Sequence, residues 1–155
     1  MTKHLYLVSG QATPNMTPAL DSVMRPDEVI LLVSPNMRIR ADWLEQVLKE
    51  STGVKVSRWT IEHPWDIEHI RDHLLDLLTQ HEHEEIILNA TGGTKPMSIA
   101  AYDVFRTLDK PVFYVHPEKD QIIWLHPPGR PRQQLADRVR IPHFIQAHGL
   151  RVTER

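Results

Sequence analysis

The sequence predicts an α/β fold: a Rossmann-like open, mostly parallel sheet with helices on both faces and a C-terminal β-hairpin. Short apolar runs rich in valine, isoleucine and leucine alternate with longer segments whose apolar residues recur at helical spacing. Strands that alternate with helices pair in parallel through right-handed crossovers. A chain of 155 residues is long enough for one such domain and too short for two ordinary ones.

The first half of the chain contains three short apolar runs that predict buried strands. These runs are residues 4–10, 28–34 and 54–61. Between the first two, Pro14 and Pro18 restrict the chain to a loop and a helix that starts near Thr17. Between the second and third, residues 40–51 form a predicted helix that ends before Gly53. The apolar face of this helix consists of Trp43, Leu44, Val47 and Leu48.

The second half continues the alternation with two helices and three strands. The predicted strands are residues 84–90, 110–115 and 120–126. The last two form a hairpin across the turn at residues 117–120. Pro64 suits the first turn of a helix that extends to about Gln80, and another helix is predicted from about Lys95 to Leu108. The apolar face of the former helix consists of Ile67, Ile70, Leu74, Leu77 and Leu78.

The C-terminal segment is basic and less regular than the rest of the chain. Residues 129–134 are predicted to form a turn or linker, followed by one short helix from Pro142 to Gly149. From Gly129 onward the chain has six arginines and two acidic residues, a pattern typical of a solvated basic tail. The six arginines are Arg130, Arg132, Arg138, Arg140, Arg151 and Arg155.

The composition excludes several classes of protein. The chain has no cysteine, so disulfides, thiolate catalysis and cysteine-ligated zinc are excluded. Its longest apolar runs, such as residues 29–33, are far shorter than the roughly 20 residues of a membrane-spanning helix. No basic segment followed by an apolar one opens the chain, so we expect a cytoplasmic protein with no membrane partner. A net charge of −2 argues against DNA as a partner.

The candidate site follows from the ends of two predicted strands. In an open parallel sheet, ligands bind outside the carboxyl ends of the strands, where the connections diverge to opposite faces. The first strand ends at Ser9, and the fourth ends at Asn89. If these two strands are neighbours, the loops that follow them share one crevice. The other loop residues that we assign to it are Gly10, Gln11, Thr13, Asn15, Thr91, Gly92, Gly93, Thr94 and Lys95.

The loop after the fourth strand combines two glycines, a lysine and a helix start, which together predict an anion site. Gly92 and Gly93 allow positive φ angles and a close approach of peptide N–H groups to a ligand. Thr94 or Lys95 would cap the helix, with Pro96 in its first turn. Free N–H groups and the lysine ammonium would then favour a phosphate ligand. A tight turn with an ordinary helix cap is the alternative that the same residues allow.

Two common phosphate-binding motifs are absent. A nucleotide-triphosphate P-loop needs a longer loop and a hydroxyl after its lysine, where this chain has Pro96. The dinucleotide fingerprint G-x-G-x-x-G is also missing. The sequence therefore predicts neither an ATPase nor a dehydrogenase, and we expect no cofactor.

Other residues have both a functional and a structural interpretation. Met37, Arg38 and Arg40 follow the second strand at the same edge of the sheet, where they could contact an adenine or a phosphate, or belong to a solvated helix start. Trp65 is the one tryptophan that could reach the crevice. His69 and His73 lie four apart on a predicted helix, as in many metal sites, but the spacing places no third ligand beside them. A polar helix face explains them, so we expect no metal.

The sequence NATGGTKPMSIAAYDVF at residues 89–105, with KPVFYV after it and SGQATPN after the first strand, resembles the CARF domains of type III CRISPR systems. It is most similar to the branch that forms the N-terminal sensor of the Card1/Can2 effector nucleases. The resemblance covers roughly residues 5–125, and its most specific part is the motif Asn-x-Thr-Gly-Gly-Thr-Lys. It assigns residues 1–128 to a CARF domain and residues 129–155 to a basic tail or short helical extension.

The resemblance implies a domain that forms two-fold homodimers and binds cyclic oligoadenylate, a cyclic RNA, across the dimer axis. Residues 91–95 would hold phosphates and ribose, and residues 9–15 would line the same pocket. Two copies of Lys95 facing four phosphates suit an isologous dimer. Cyclic tetraadenylate is therefore the favoured ligand, although the sequence leaves the ring size open.

Some CARF domains, including stand-alone ones, cleave the messenger that they bind. The resemblance therefore implies a metal-independent ring nuclease that forms 2′,3′-cyclic phosphate products and switches off type III CRISPR signalling. Lys95 would stabilise charge in the transition state, and Ser9 would position the ribose or phosphate. The chain stops at Arg155 without an output domain, which favours a stand-alone ring nuclease. A non-catalytic binding module, either a sponge or a regulatory sensor subunit, is the alternative.

Overall fold

The computed structural model describes residues 1–136 and 141–149, and its centre is a seven-stranded sheet of order β3-β2-β1-β4-β5-β6-β7. The strands are β1 (Thr2–Leu7), β2 (Glu28–Val33), β3 (Lys55–Thr60), β4 (Glu85–Asn89), β5 (Val112–His116), β6 (Gln121–His126) and β7 (Gln133–Gln134). The first five strands pair in parallel, and the last two pair antiparallel. The predicted open, mostly parallel sheet with a C-terminal hairpin is confirmed.

Helices cover both faces of this sheet. They are α1 (Thr17–Leu20), α2 (Arg38–Thr52), α3 (Ile67–Gln80), α4 (Lys95–Thr107) and α5 (Ile141–Ala147). Single turns of 3-10 helix at Thr13–Asn15 and Pro35–Met37 precede α1 and α2. Within residues 1–136 and 141–149, no helix is both long enough and apolar enough to cross a membrane.

The core consists of two apolar layers because successive side chains of a strand point to opposite faces of the sheet. On one face, Tyr6 and Leu31 pack in a cluster with residues of α1, α2 and α5. On the other face, Leu5 and Leu32 pack in a cluster with residues of α3 and α4. A polar site therefore has to form at an end of the sheet.

Two helices differ in detail from their predicted limits. Helix α2 begins at Arg38, two residues early, and ends before Gly53, whose φ of 71° is the left-handed conformation expected of a helix-terminal glycine. In α3, four of the five predicted apolar positions are buried. Ile67 is the exception, with 41% of its surface exposed, because it begins the helix at the edge of the sheet.

The end of the described chain packs on the domain. Gln133–Gln134, part of the segment predicted as a turn or linker, instead extends the sheet as β7 beside β6. Helix α5 agrees with the predicted C-terminal helix, and its Ala147 is buried against the layer that contains α2. Four arginines of the predicted basic tail lie outside the described residues. They are Arg138, Arg140, Arg151 and Arg155.

Candidate ligand site at the carboxyl edge of the sheet

The strands β1 and β4 are neighbours, as the candidate site requires. Leu5 of β1 pairs with Leu88, and Tyr6 pairs with Asn89. The connection after β1 leads to α1 on one face of the sheet, whereas the connection after β4 leads to α4 on the other. This divergence makes the carboxyl edge between β1 and β4 a topological switch point, where open α/β sheets bind ligands.

Two buried asparagines join the loops that follow β1 and β4. Asn89 Nδ2 donates to the carbonyl oxygen of Pro14 at 2.9 Å and to Asn15 Oδ1 at 3.3 Å. Asn15 Nδ2 donates to the carbonyl oxygen of Leu7 at 3.0 Å. Both asparagine side chains are fully buried. These hydrogen bonds join the two loops, and the predicted ligand contacts of both residues stay a prediction.

Thr91 extends this network to β5. Its backbone N–H and its hydroxyl both donate to Asn89 Oδ1, at 3.1 and 2.6 Å. The Thr91 hydroxyl also accepts from the N–H of Val115 at 2.8 Å. Because this hydroxyl already donates and accepts within the protein, Thr91 holds the loop against the neighbouring strand.

The two glycines of the loop are required by its packing. A Cβ atom on Gly92 would lie 2.2 Å from the carbonyl oxygen of Leu7, closer than any real contact. Gly93 has a φ of 79°, which side chains rarely adopt. The positive φ expected of this glycine pair is thus found at Gly93, whereas the close approach of Gly92 to β1 was not predicted.

Thr94 is the cap of α4, which decides between the two predicted capping residues. Its hydroxyl accepts from the N–H of Met97 at 3.2 Å and donates to the carbonyl oxygen of Pro64 at 2.6 Å. Lys95 is the first residue of the helix and is exposed. Among the described residues, none forms an ion pair with Lys95, so its ammonium is available to an anion at this helix start.

The loop after β1 carries weaker contacts. Ser9 Oγ lies 3.3 Å from both the nitrogen and the carbonyl oxygen of Gln11. The carbonyl oxygen of Gly10 accepts from Arg40 Nη1 at 3.1 Å. Arg40 therefore ties α2 to this loop, while Arg38 lies exposed at the start of the helix. Both arginines were predicted at this edge of the sheet; Arg40 contacts the loop, and a ligand contact of Arg38 stays a prediction.

Two cavities flank the loop after β1 and divide the predicted site residues between them. The first, here called the crevice, has a volume of about 290 Å³. It is lined by residues from four loops, including Ser9, Gly10, Met37, Trp65, Gly93 and Thr94. The second, here called the hairpin cavity, has a volume of about 360 Å³ and lies between this loop and the turn that joins β5 to β6. Gln11 and Thr13 line the hairpin cavity.

Trp65 reaches the crevice, as predicted for this tryptophan. It lies directly after Pro64 and is 72% exposed. The hydrogen bond between Thr94 and Pro64 holds its loop beside the start of α4. An exposed indole that lines the crevice is suited to stacking on a nucleobase.

Three histidines near α3 contact one another through tilted or edge-on rings on the protein surface. The ring centroids of His63 and His69 are 4.8 Å apart, and those of His69 and His73 are 4.3 Å apart. Loss of hydration, together with the neighbouring imidazoles, lowers the pKa of His69 below its ordinary value. Within the part of the chain that the structure describes, no group of three or more potential ligands has the arrangement of a metal site.

The fold is shared with several solved structures. Can2 from Sulfobacillus thermosulfidooxidans, solved in complex with cyclic tetra-adenylate, superposes with a TM-score of 0.84 at 28% identity, over 95% of this chain and 41% of that chain. A type III CRISPR defence DNA nuclease activated by cyclic oligoadenylate superposes with a TM-score of 0.78 at 26% identity. The superposition covers 98% of this chain and 24% of that chain. Protein VC1899 from Vibrio cholerae superposes with a TM-score of 0.88 at 24% identity. The superposition covers 94% of this chain and 39% of that chain. This chain thus spans less than half the length of each neighbour. No curated protein matches it.

The diverging connections and the polar loops at the carboxyl edge define a Rossmann-like ligand-binding domain. The sequence also matches the family described as Card1 CARF domain, over residues 4–144. Because the match covers most of the 155 residues, the chain belongs to the Card1 CARF domain family. The resemblance to CARF domains of type III CRISPR systems is thereby confirmed.

Proposed function

We propose that this chain binds cyclic oligoadenylate at the carboxyl edge of its sheet, with phosphates held by Lys95 and by peptide N–H groups at the start of α4. The observation that carries the proposal is the position of Lys95, which begins α4 exposed at the switch point between β1 and β4. An ammonium and a helix start at one point attract an anion, although each contributes only about 0.3–1 kcal/mol at an exposed site. Several such contacts are therefore needed.

The choice of ligand is supported by the family and by two similar structures. Can2 was solved with cyclic tetra-adenylate, and the defence nuclease is activated by cyclic oligoadenylate. The crevice with Trp65 and the nearby start of α4 suit a ligand that combines nucleobases with phosphates. We favour cyclic tetraadenylate because its ring of four phosphates has two-fold symmetry. A homodimer would supply two facing copies of Lys95, and an isologous interface would match this symmetry.

We further propose that the dimer cleaves the ring without a metal. A ribose 2′-oxygen attacks the adjacent phosphorus and loses its proton to water. The bond from phosphorus to the 5′-oxygen of the next nucleotide breaks, and that oxygen gains a proton. The products have a 2′,3′-cyclic phosphate at one end and a 5′-hydroxyl at the other. Holding the three reacting atoms in line provides much of such an acceleration.

Two residues have proposed roles in this reaction. The Lys95 ammonium would stabilise the charge that develops on the phosphate oxygens. Ser9 would position the ribose or phosphate, since its hydroxyl lines the crevice and makes only 3.3 Å contacts within its own loop. Such contacts are readily exchanged for a ligand. Asn89, Asn15 and Thr91 would act indirectly, by positioning the loops.

The direct test is incubation of the purified protein with labelled cyclic tetraadenylate in the presence of EDTA. We expect linear products that end in a 2′,3′-cyclic phosphate. If an excess of protein leaves the ring intact for hours, the catalytic part of the proposal is wrong.

One observation favours the alternative, a module that binds the ring without cleaving it. No titratable side chain is among the described residues that line the crevice, so none can act there as a general base. Tight binding with an unchanged ligand would select this function. A sponge or a regulatory subunit would then be the biological role.

A further inference from the structure

The connection between β3 and α3 places a tryptophan beside the crevice. This connection, here called the Trp65 loop, consists of residues 61–66 and contributes Trp65 to the lining of the crevice. The carbonyl oxygen of Pro64 accepts from the Thr94 hydroxyl at 2.6 Å, which joins the middle of the loop to the cap of α4. Most side chains of the loop are exposed. Its position therefore depends on a few hydrogen bonds more than on packing.

His69, in the first turn of α3, makes two hydrogen bonds to the Trp65 loop. Its backbone N–H donates at 3.1 Å to Oδ1 of Asp66, the residue that caps α3. Its ring nitrogen Nε2 accepts from the backbone N–H of Glu62, also at 3.1 Å. One residue thus contacts both ends of the loop, and the imidazole ring provides the contact to the end that follows β3.

The contact to Glu62 requires a neutral imidazole ring. A backbone N–H can only donate, so Nε2 of His69 is the acceptor and the neutral ring carries its hydrogen on Nδ1. An imidazolium has N–H groups at both nitrogens and cannot accept a hydrogen bond. A second proton on the ring therefore removes the contact to Glu62, whereas the backbone contact of His69 to Asp66 can remain.

The surroundings of His69 disfavour that second proton. The rings of His63 and His73 lie on either side, with centroids 4.8 and 4.3 Å away, and the start of α3 adds a partial positive charge. Loss of hydration and the two neighbouring imidazoles lower the pKa of His69 below its ordinary value of 6.5. The carboxylates of Asp66 and Glu62 act in the opposite direction and do not outweigh these effects.

We infer that His69 is a positioning residue for the crevice: its neutral ring holds the Trp65 loop beside the start of α4, and protonation of the ring releases this loop. As a statement about ligand binding, the inference rests on the proposed function. The released loop binds a proton more readily than the held loop does. The held position is therefore favoured above about pH 6.5 and is lost as the pH falls below that value.

Release of the loop should weaken ligand binding. Trp65 would lose its fixed place in the crevice, and a base that stacks on it would have to order the loop as it binds. Protonated histidines also attract an anionic ligand, which is the opposite effect. A change of affinity with pH would therefore combine two causes, and variants compared at one pH separate them.

The first experiment measures binding of cyclic tetraadenylate at pH 7. His69→Gln keeps an acceptor, because the glutamine Oε1 can take the place of Nε2, and we expect unchanged affinity. His69→Leu removes the acceptor and should weaken binding by about threefold or more, the effect of one hydrogen bond. His73→Leu is the matched control, since it removes a neighbouring ring and leaves the contact to Glu62 in place. Its affinity should equal that of the unaltered protein.

The second experiment follows the loop without any ligand. The NMR signal of the Trp65 indole N–H is identified by its absence from Trp65→Phe. In the unaltered protein we expect it to shift between pH 7 and pH 5, with a midpoint below the ordinary histidine value of about 6.5. In His69→Gln it should shift less than about half as far, because no ring titrates at this position. Constant signals of Trp43 and Trp124 would show that the domain stays folded.

The two experiments distinguish the inference from the proposed function. An equal shift in the unaltered protein and in His69→Gln overturns the positioning role of His69. Equal affinity of the unaltered protein and His69→Leu overturns its effect on ligand binding, while the proposed function stands. If the unaltered protein does not bind cyclic tetraadenylate, the proposed function fails, and the titration of the indole signal still decides whether His69 positions the loop.

Discussion

Asn89 Nδ2 lies 3.3 Å from Asn15 Oδ1, although the two residues are 74 positions apart in the sequence. Both side chains are fully buried, and the pair joins the loop after β1 to the end of β4. The two loops of the candidate site are therefore held in position before any ligand binds. Such preorganisation lowers the cost of binding, because fewer groups have to be ordered.

Replacing Asn89 should destabilise the whole domain. Asn89→Ala leaves the carbonyl of Pro14 and the N–H and hydroxyl of Thr91 without this partner, so we expect the free energy of unfolding to fall by about 3 kcal/mol. Urea denaturation measures this loss. The control is Asn36→Ala, which removes an exposed asparagine and should cost less than about 1 kcal/mol. Equal losses in the two variants would contradict the role given to Asn89.

The two loop glycines at the site should respond differently to an added methyl group. Gly92→Ala places a Cβ atom 2.2 Å from the carbonyl oxygen of Leu7, so β1 or the loop has to move, and we expect a loss of about 1–3 kcal/mol. In Gly10→Ala, no atom lies closer than 3.9 Å to the added Cβ atom. This substitution should therefore change the free energy of unfolding by less than about 0.5 kcal/mol. Thermal melting of the two variants compares them. A stable Gly92→Ala protein would show that this close approach is not required.

Lys95 should matter for the ligand and not for the fold. Lys95→Ala should weaken binding of cyclic tetraadenylate by about tenfold or more, because charge-assisted contacts to phosphate are lost. Cleavage should slow further. The melting temperature should stay unchanged, since no described residue pairs with this lysine. Calorimetry and a cleavage assay measure these effects, with Lys110→Ala at the opposite edge of the sheet as the control. If Lys95→Ala binds the ligand with unchanged affinity, the loop is only a structural turn.

The proposed homodimer should depend on the exposed face of α4. Ile99 is 57% exposed and lies four residues after Lys95, on the same side of the helix. Ile99→Asp should weaken self-association by about tenfold or more in analytical ultracentrifugation, and ligand affinity should fall with it. Val23→Asp is the control, because Val23 is 79% exposed in the segment that leads to the amino end of β2. If Ile99→Asp leaves self-association unchanged, the dimer interface lies on another surface.

Acid should destabilise the protein through a buried histidine. Burial lowers the pKa of His4 from 6.5 to about 3, in a core position where Nδ1 lies 3.0 Å from the Tyr6 hydroxyl. Below pH 6.5 the unfolded chain binds a proton that folded His4 does not, so stability falls as the pH drops from about 6.5 towards 3. The slope is at most about 1.4 kcal/mol per pH unit. The lowered pKa of His69 acts in the same direction.

The measurement is urea denaturation at pH 7 and at pH 5. His4→Gln keeps a hydrogen-bonding group beside Tyr6 without a titrating ring, so its loss of stability between the two values should be smaller than that of the unaltered protein. His83→Gln alters a histidine whose side chain is 91% exposed and should leave the loss unchanged. Identical losses in all three proteins would show that His4 is not the source.

Much of the fold was predictable because it depends on patterns within short segments. The strand runs, the helix that begins at Lys95 and the glycine after α2 were all predicted from local spacing, because burial and capping act over a few residues. The short strand β7 was not predicted. Its two glutamines carry no apolar pattern, and the strand exists because β6 offers a free edge.

The amino-acid sequence alone was enough to indicate the α/β class, the CARF family and the edge of the sheet where a ligand should bind. Packing determined which groups contact one another at that edge: Asn15, Asn89 and Thr91 join the loops, Arg40 contacts the loop after β1, and this loop separates two cavities. The physical reason is that apolar periodicity is a local property of the chain. The partner of a buried polar group is chosen by whichever distant segment packs against it.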